Sequence, residues 1–351
     1  MKLGVVGNGM IVSWLFRDIR ELPQITVEAL CVRERSLEKG KALAVEHGVK
    51  ALYTDYDRFL GEGDFDTVYL GIVNSEHFSY ARKALEAGKH VICEKPFTVR
   101  AEELRILAAE ARERGLFLWE AFKVPYSPVF QAMKAHLGEV GKIRMVQCSY
   151  CRVSSRYDRY LAGEIHPAFD PEKGGGCLYD INLYNLHLAV WLLGKPEQVH
   201  YFANRGYNGI DISGTVILQY PDFQGVCMAA KDSTSPCYSL VQGTGGYIRV
   251  EGPASAPVYA ELVKKDGSAS RIGEDASGGA LTDELREFAR QLETGDRTAC
   301  YGMLDHCVGV MEVVEACRFF WKPLDKTGFS GYNHPIAGCL SLAREGAGKN
   351  S

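Results

Sequence analysis

The chain has 351 residues, 46% of them hydrophobic and 24% charged, which is the composition of an ordinary folded protein and excludes wholesale disorder. Its formal net charge of −4 argues against nucleic acid binding as the main activity, and at about 150 residues per domain its length indicates two domains. No apolar run approaches the roughly 20 residues that span a bilayer, and Gly4, Gly7 and Gly9 interrupt the segment where a signal peptide needs an unbroken apolar stretch. We therefore expect a cytoplasmic protein with two domains.

Short apolar runs alternate with amphipathic stretches in the first third of the chain. The pattern predicts strands over 2–6, 25–32, 68–73, 90–93 and 117–119, and helices over 8–21, 36–47, 77–87 and 101–114. Nearly continuous apolar strands that alternate with helices are typical of a parallel sheet covered on both faces. The sequence therefore predicts an α/β fold that begins with a doubly wound Rossmann domain over residues 1–121.

The pattern changes after Pro125 and Pro128, where turn residues separate shorter strands. Strands are predicted over 143–152, 198–203, 214–220, 225–231, 238–243, 247–251 and 258–264, and helices over 129–137, 178–193, 281–293 and 303–320. This arrangement predicts a second α/β domain over 122–330 with an open, mostly antiparallel sheet, followed by a polar tail over 331–351. Because an open sheet needs its exposed face covered, the pattern favours a homo-dimer or homo-tetramer.

The cysteines do not indicate a metal site. Most of the eleven have apolar neighbours, which is typical of buried thiols that pack as small hydrophobic side chains. Cys148 and Cys151 form one close pair, but their odd spacing along a predicted strand points the two sulfurs to opposite faces. Glu164, His166 and the nearby cysteines match no defensible zinc-ligand spacing. We therefore expect no metal.

The first motif with chemical meaning is Gly7-Asn8-Gly9-Met10-Ile11, between the first strand and the first helix. Gly7 permits a tight turn, and Gly9 lets a ligand approach the backbone because it has no Cβ. The N-terminus of the following helix offers unpaired N–H groups to a pyrophosphate. Val12 replaces the third glycine of the dinucleotide fingerprint, so the motif indicates a dinucleotide-binding turn with altered helix packing.

The end of the second strand carries both acidic and basic residues, at the position that faces the adenosine ribose in a dinucleotide-binding fold. Glu34 would accept hydrogen bonds from both ribose hydroxyls, which favours NAD. Arg35 and Lys39 would pair with a 2′-phosphate, which favours NADP. A solvated charge cluster is the alternative interpretation. The residues thus predict NAD(P)(H) as the cofactor and leave the choice between NAD and NADP open.

Lys95 follows an apolar strand directly, in the segment Glu94-Lys95-Pro96. Ligands of doubly wound sheets bind outside the carboxyl ends of the strands, so this position delivers Lys95 to the ligand crevice. The following proline restricts Lys95 to extended geometry. Its ammonium would hold a substrate oxygen and stabilise the negative charge that develops there.

The glycine run at 174–176 opens a predicted helix that carries Asp180, Tyr184 and His187. In an α-helix the spacing of these residues places all three side chains on one face. A carboxylate beside a phenol can orient it or share its proton, which predicts a proton relay. The alternative is a polar stripe over the apolar core of the helix.

In their order and spacing these motifs resemble the glucose–fructose oxidoreductase/inositol dehydrogenase (Gfo/Idh/MocA) family over nearly the whole chain. Two further segments carry the resemblance, Asn74-Ser75-Glu76-His77 and Trp119-Glu120-Ala121-Phe122. It implies a Rossmann domain joined to a C-terminal α/β domain whose open sheet forms oligomer contacts. It also implies NAD(P)-dependent oxidation of a sugar or polyol hydroxyl, or reduction of the matching carbonyl.

By this resemblance Lys95 matches the family's catalytic lysine, and Asp180 matches the aspartate of its second motif. Many members have a histidine four residues after that aspartate. Tyr184 at this position resembles the branch of glucose–fructose oxidoreductase and dimeric dihydrodiol dehydrogenase, which tends to use NADP. A second departure is Asn182, where glycine is common. The remaining implied residues are Asn74, His77 and Glu94 at the cofactor, and Lys123, Arg156, Tyr157 and His187 as substrate contacts.

Two other functions fit the same fold, because a fold does not determine a function. One is an NAD-dependent glycoside hydrolase, a class that this family includes, which would oxidise and re-reduce its sugar without a net change in the cofactor. The other is a non-catalytic regulator that binds the nucleotide. The intact set of Lys95, Asp180 and Tyr184 argues against the regulator.

Overall fold

Two sheets organise the part of the chain that the computed structural model describes, residues 1–275 and 281–319. The described residues belong to one compact unit, in which the first sheet ends at Ala121. The domain boundary between 121 and 122 stays a prediction. The predicted polar tail over 331–351 lies outside the described residues.

Six parallel strands form the first sheet. They are β1 Lys2–Val6, β2 Thr26–Cys31, β3 Ala51–Tyr53, β4 Thr67–Leu70, β5 His90–Glu94 and β6 Leu118–Ala121. The strand order is β3-β2-β1-β4-β5-β6, the order of the Rossmann fold, and β4 is buried along its whole length. The predicted doubly wound sheet is therefore confirmed. The sequence analysis missed β3 because three half-buried residues are too few to give a periodic pattern.

Helices pack on both faces of this sheet and divide its core in two. They are α1 Met10–Asp18, α2 Leu37–His47, α3 Tyr56–Glu62, α4 His77–Glu86 and α5 Ala101–Glu113. The start of α1 directly after Gly9 brings the helix N-terminus to the carboxyl end of β1. At its other end, the buried Asp18 carboxylate accepts a hydrogen bond from the backbone N–H of Leu281 at 2.8 Å.

Eight strands form the second sheet. They are β7 Ile143–Cys151, β8 Gln198–Arg205, β9 Asp211–Gln219, β10 Gln224–Ala230, β11 Tyr238–Gly243, β12 Gly246–Glu251, β13 Tyr259–Lys264 and β14 Ala269–Glu274. In the order β14-β13-β12-β11-β7-β10-β9-β8, β7 pairs with β10 in parallel and the other neighbours are antiparallel. This confirms the predicted open, mostly antiparallel sheet. The polar composition of β14 explains why it was not predicted.

The remaining helices connect the two sheets. They are α6 Pro128–Ala135, α7 Tyr157–Leu161, α8 Leu183–Leu193, α9 Thr282–Thr294 and α10 Arg297–Phe319, and a π-helical turn over Leu178–Asn182 precedes α8. The ring of Trp119 in β6 stacks on Phe288 of α9 at 5.3 Å, and Trp119 Nε1 donates to Gln291 Oε1 at 2.7 Å. The last helices therefore return to the first sheet and hold its edge against the second half of the chain.

The described cysteines are free thiols, and most of them are buried. Cys148 is buried and Cys151 is half-buried, as expected for side chains on opposite faces of β7. Among the described residues, no group of three or more His, Cys, Asp or Glu side chains is placed to hold a metal ion. In the same ranges, no helix has the length and hydropathy needed to cross a bilayer.

Candidate active site

A cleft of about 1170 Å³ opens at the carboxyl ends of β1, β2, β4 and β5, and the second half of the chain forms its opposite wall. The turns after β1 and β4 contribute backbone, whereas the π turn and the segment after β7 contribute mainly polar side chains. The cleft brings together many of the predicted site residues. They are Gly7, Asn8, Gly9, Met10, Ile11, Asn74, Glu94, Lys95, Lys123, Arg156, Asp180 and Tyr184.

The turn after β1 is shaped to approach a ligand through its backbone. Gly7 has a φ of 112°, and a Cβ there would lie 2.3 Å from the carbonyl oxygen of Gly71, so only glycine fits. At Gly9 no described atom lies within 4 Å of the position that a Cβ would take. The first N–H groups of α1 have no partner within the helix. This open backbone and helix N-terminus fit the pyrophosphate of a dinucleotide.

Arg33 and Ser36 line the cleft beside β2, where a dinucleotide-binding fold places the adenosine ribose. The chain leaves β2 in an extended conformation at Arg33, with a ψ of 148°, and then turns through a short 3-10 helix. Glu34, Arg35 and Lys39 are exposed outside the cleft. Their predicted contacts with the ribose and the 2′-phosphate stay predictions, and Arg33 and Ser36 are further candidates on the same turn.

Lys95 and Asp180 meet in the cleft. Lys95 Nζ donates to the backbone oxygen of Asp180 at 2.7 Å and to its Oδ1 at 3.2 Å. The other carboxylate oxygen, Oδ2, lies 2.8 Å from Nζ of Lys231. Lys231 directly follows β10, is 1% exposed, and also donates to the backbone oxygen of Ala168 at 2.5 Å. The sequence analysis missed Lys231, because a lysine at the end of an apolar strand resembles an ordinary surface residue.

Two opposing effects determine the ionisation of Asp180. Burial raises its pKa, but the ammonium groups of Lys95 and Lys231 outweigh burial and lower the pKa well below its ordinary value. Asp180 is therefore an ionised carboxylate at neutral pH, and both of its oxygens are already bound. Such a group is a poor proton acceptor, and its contacts hold the ammonium of Lys95 in place.

Tyr184 lies beside this ion pair and is almost completely buried. Lys95 Nζ is 5.0 Å from the centroid of its ring, and the ring of Tyr150 is 6.2 Å away on the cleft wall. Burial, reinforced by the negative charge of Glu94, raises the pKa of Tyr184 well above its ordinary value. The hydroxyl therefore keeps its proton at neutral pH and can serve as a proton donor.

A second group of charges lies at the opposite side of Lys95. Glu94, at the end of β5, accepts a hydrogen bond from the buried Tyr69 hydroxyl, and burial raises the pKa of Glu94. Lys123 has a φ of 63°, rare for a residue other than glycine, and its backbone N–H donates to Glu284 Oε2 at 2.8 Å. Burial, and then the charge of Glu94, raise the pKa of Glu284 to about 8. Sequence reasoning missed Glu284, which looks like an ordinary acidic residue in the first turn of α9.

Asn74 and His77 have different positions although both come from one predicted motif. Asn74 lines the cleft, and its Nδ2 donates to the backbone oxygen of Gly174 at 2.9 Å. His77 is fully buried behind the cleft, with Nδ1 2.8 Å from the backbone oxygen of Pro96 and Nε2 3.3 Å from that of Ile72. His77 therefore braces two cleft-forming loops, which corrects its predicted contact with the cofactor.

His187 also lies in the interior rather than in the cleft. It is 1% exposed, its ring stacks on Phe122 at 4.0 Å, and its Nδ1 lies 3.1 Å from Nε2 of His306. The prediction assumed that Asp180 and His187 share one face of a regular α-helix. The π turn before α8 has a wider hydrogen-bonding pattern, so it rotates the later residues away from that face. The predicted substrate contact of His187 is therefore corrected.

Tyr157 packs within an aromatic cluster beside the cleft. Its ring lies 6.1 Å from that of Tyr160 and 6.2 Å from that of Phe169. The preceding residue, Arg156, lines the cleft instead. The structure thus favours Arg156 over Tyr157 as a ligand contact in this segment.

Comparisons with known proteins agree with this site. Residues 1–122 match the family described as GFO/IDH/MocA oxidoreductases with an NAD-binding Rossmann fold, and residues 130–249 match the GFO/IDH/MocA C-terminal domain. The chain is 30% identical to the scyllo-inositol 2-dehydrogenase (NADP(+)) IolU of Bacillus subtilis, over 91% of this chain and 96% of that enzyme. It is 32% identical to the trans-1,2-dihydrobenzene-1,2-diol dehydrogenase of Bos taurus, over 76% of this chain and 78% of that enzyme.

A solved structure shares the fold. The 3-ketoreductase KijD10 from Actinomadura kijaniata, in complex with NADP and TDP-benzene, superposes with a TM-score of 0.79 at 23% identity, covering 91% of this chain and 97% of that one. The sequence matches to the two family domains cover the first sheet and reach residue 249, within β12 of the second sheet. This chain is therefore a member of the Gfo/Idh/MocA family of NAD(P)-dependent oxidoreductases.

Proposed function

We propose that this oxidoreductase transfers a hydride between NAD(P) and the secondary alcohol or carbonyl carbon of a sugar, a polyol or a related diol. The observation that carries the proposal is the contact between Lys95 and Asp180 in the same cleft as Tyr184 and the turn after β1. The names of the relatives support it, since they describe dehydrogenases of an inositol and of a cyclic diol.

The residues of the cleft have separate roles in this proposal. The turn at 7–11 holds the pyrophosphate of the cofactor, whose nicotinamide supplies or accepts the hydride when bound. Lys95 holds the reacting oxygen and stabilises the negative charge that develops on it. Asp180 orients Lys95, and Tyr184 donates its proton to the oxygen when a carbonyl is reduced. The tyrosinate left after reduction regains a proton from solvent. In the oxidation direction Tyr184 first releases its proton to solvent and then accepts the proton of the substrate hydroxyl.

The cleft beside β2 favours NADP(H). Arg33 lines it, and among the ion pairs of the described residues none involves Arg33, so its guanidinium is free to bind a 2′-phosphate. Ser36 adds a hydroxyl donor at the same place. The name of IolU, a relative with 30% identity, specifies NADP(+). We therefore propose that Arg33 and Ser36 recognise the 2′-phosphate.

Purified protein incubated with NADP⁺ or NAD⁺ and a panel of cyclitols, aldoses and diols tests the proposal through nicotinamide absorbance. Net formation of NADPH or NADH with a panel member is the expected result. Cleavage of a glycoside without a net change in the cofactor would favour the glycoside hydrolase, and cofactor binding without any turnover would favour the regulator. The cytoplasmic location and the homo-dimer or homo-tetramer stay predictions.

A further inference from the structure

Basic side chains without ion-pair partners line the end of the cleft near Asp180. Arg152, Arg156, His166 and Lys173 lie between β7 and the π turn, and we call them the basic loop cluster. In the described part of the chain, no carboxylate forms an ion pair with Arg152, Arg156 or Lys173. Arginines outside the cleft are commonly paired, such as Arg159, which lies 2.8 Å from Glu164. The cluster therefore presents cations to the cleft that the protein itself does not neutralise.

His166 places this cluster beside the ion pair of Lys95 and Asp180. Its Nδ1 accepts a hydrogen bond from the backbone N–H of Ala168 at 3.1 Å, so the proton of the neutral ring is on Nε2 and can be donated to a ligand. Burial, followed by the positive charges of Arg156 and Lys231, lowers the pKa of His166, whereas the charge of Asp180 opposes that effect. His166 lines the same cleft as Arg156 and Asp180.

The charges at this end of the cleft do not balance. Asp180 is one carboxylate between two ammonium groups, with Lys95 Nζ at 3.2 Å and Lys231 Nζ at 2.8 Å. Arg152 and Arg156 add two more positive charges, although the whole chain has a net charge of −4. The cleft as a whole is also lined by carboxylates, namely Glu76, Glu94, Asp275, Asp283 and Glu284. The excess of positive charge is therefore local to the loop between β7 and the π turn, where it attracts ligands of the opposite sign. The excess therefore indicates an anionic ligand.

The phosphates of the cofactor do not account for this excess. The turn at 7–11 offers its backbone to the pyrophosphate, and Arg33 lies where the adenosine ribose binds. Both belong to the first sheet, whereas Arg152 and Arg156 follow β7 of the second sheet. The basic loop cluster therefore lies on the opposite wall of the cleft from the residues expected to bind the cofactor phosphates.

We propose that the substrate carries an anionic group, a carboxylate or a phosphate, which Arg152, Arg156 and His166 bind while Lys95 holds the reacting oxygen. This inference rests on the proposed function and narrows its substrate class to acidic sugars, acidic polyols and their phosphate esters. Guanidinium groups suit either anion, because both present paired oxygens to two parallel N–H groups. Lys173 adds positive charge at the rim of the same site.

The test uses the full chain loaded with NADPH and follows nicotinamide fluorescence during titration with D-glucose, D-glucuronate and D-glucose 6-phosphate. A second series compares myo-inositol with an inositol monophosphate. We expect at least one anionic compound to bind about tenfold or more tightly than its neutral partner, with an affinity that falls as salt is added. The glucuronate and phosphate arms separate the two anions. Equal or tighter binding of the neutral compounds, or no binding of any anionic compound, overturns the inference.

Two variants locate the anion. Arg156→Gln is expected to weaken binding of the anionic compound by about tenfold or more, to weaken binding of the neutral compound much less, and to leave NADPH binding unchanged. Arg159→Gln is the matched control, since Arg159 lies on the adjacent helix α7, is exposed and already has Glu164 as its partner. An Arg152→Gln variant provides an independent repeat. Loss of NADPH affinity in Arg156→Gln would assign the arginine to the cofactor and overturn the inference.

These experiments distinguish a wrong oxidoreductase function from a wrong substrate class. If the wild-type protein does not bind NADPH or NADH, the proposed function itself is wrong. If it binds the cofactor and turns over neutral compounds only, the proposed function stands and the anionic substrate is excluded.

Discussion

Lys231 Nζ lies 2.8 Å from Oδ2 of Asp180, while Lys95 Nζ lies 3.2 Å from Oδ1 of the same carboxylate. Lys231 is 1% exposed, and burying an ammonium to that degree is costly unless it is paired. Lys231 and Asp180 therefore depend on each other. Because Lys231 also donates to the backbone oxygen of Ala168, it connects the loop before the π turn to the carboxylate that contacts Lys95.

We expect Lys231→Met to lower kcat by about 10-fold to 10²-fold, because small misplacements of reacting groups are that costly. The acid limb of the pH–rate profile should also move to higher pH, since Asp180 loses one of the two cations that lower its pKa. A pH–rate profile of both proteins measures the two effects together. An unmoved acid limb would mean that Lys231 serves packing alone.

The double variant Asp180→Asn/Lys231→Met is the control for this coupling. Once Asp180 is neutral, Lys231 has no carboxylate to bind. Replacing Lys231 should therefore lower kcat much less in the Asp180→Asn background than in the wild type. An equal decrease in kcat in the wild type and in Asp180→Asn would show that Lys231 acts independently of Asp180.

Arg33→Gln tests the cofactor preference. Loss of a charge-assisted hydrogen bond to a phosphate is worth about 1.5–3 kcal/mol, so NADPH affinity should fall at least about tenfold while NADH affinity changes little. Arg35→Gln is the matched control, because Arg35 is two residues away and exposed outside the cleft. Fluorescence titration with both nucleotides measures the outcome. A larger loss of NADPH affinity in Arg35→Gln would support the sequence prediction that Arg35 contacts the 2′-phosphate.

Glu284 should make stability depend on pH. Its pKa is about 8 in the folded protein and about 4.3 in an unfolded chain, so the folded state binds the proton more tightly. Its contribution to stability is therefore fully present below about pH 4.3 and is lost as the pH rises through about 8. Because glutamine does not ionise, Glu284→Gln does not lose this stability as the pH rises. The Tm of the variant minus the Tm of the wild type should therefore increase between about pH 5 and about pH 8.

Thermal unfolding at several pH values measures this difference. Glu293→Gln, on the exposed side of the same helix, is the control and should show a Tm difference that does not vary with pH. A Tm difference for Glu284→Gln that is equally flat would contradict the raised pKa.

The sequence predicted the architecture well because each signal was local. The apolar strands of the first sheet, the glycines of the turn after β1 and the position of Lys95 at a strand end all follow from short segments. The strand order and the mostly antiparallel second sheet then agreed with the expectation. Short polar elements such as β14 were not predicted because they lack a periodic apolar pattern.

Parts of the candidate site could not be predicted, because they depend on where separate segments meet. Lys231 contacts Asp180 from the end of a strand and Glu284 lines the cleft from a late helix, and no motif connects either residue with Lys95. His187 failed for a different reason, since one π turn changes the face on which a later residue lies. Arg33 was not proposed as a cofactor contact because Arg35 and Lys39, nearby residues of the same charge, fitted that role equally well in the sequence. Only the path of the backbone after β2 shows that Arg33 lines the cleft.

The role proposed for Lys95 is to hold the reacting oxygen during hydride transfer. The most direct measurement compares net NADPH formation by the wild type and by Lys95→Met, with the best substrate of the panel, after confirming equal NADPH binding by fluorescence. We predict that kcat falls by about 10²-fold or more while the dissociation constant of NADPH stays unchanged, as expected for loss of a positioned group that acts on the substrate. Turnover by Lys95→Met at the wild-type rate would show that Lys95 does not hold the reacting oxygen.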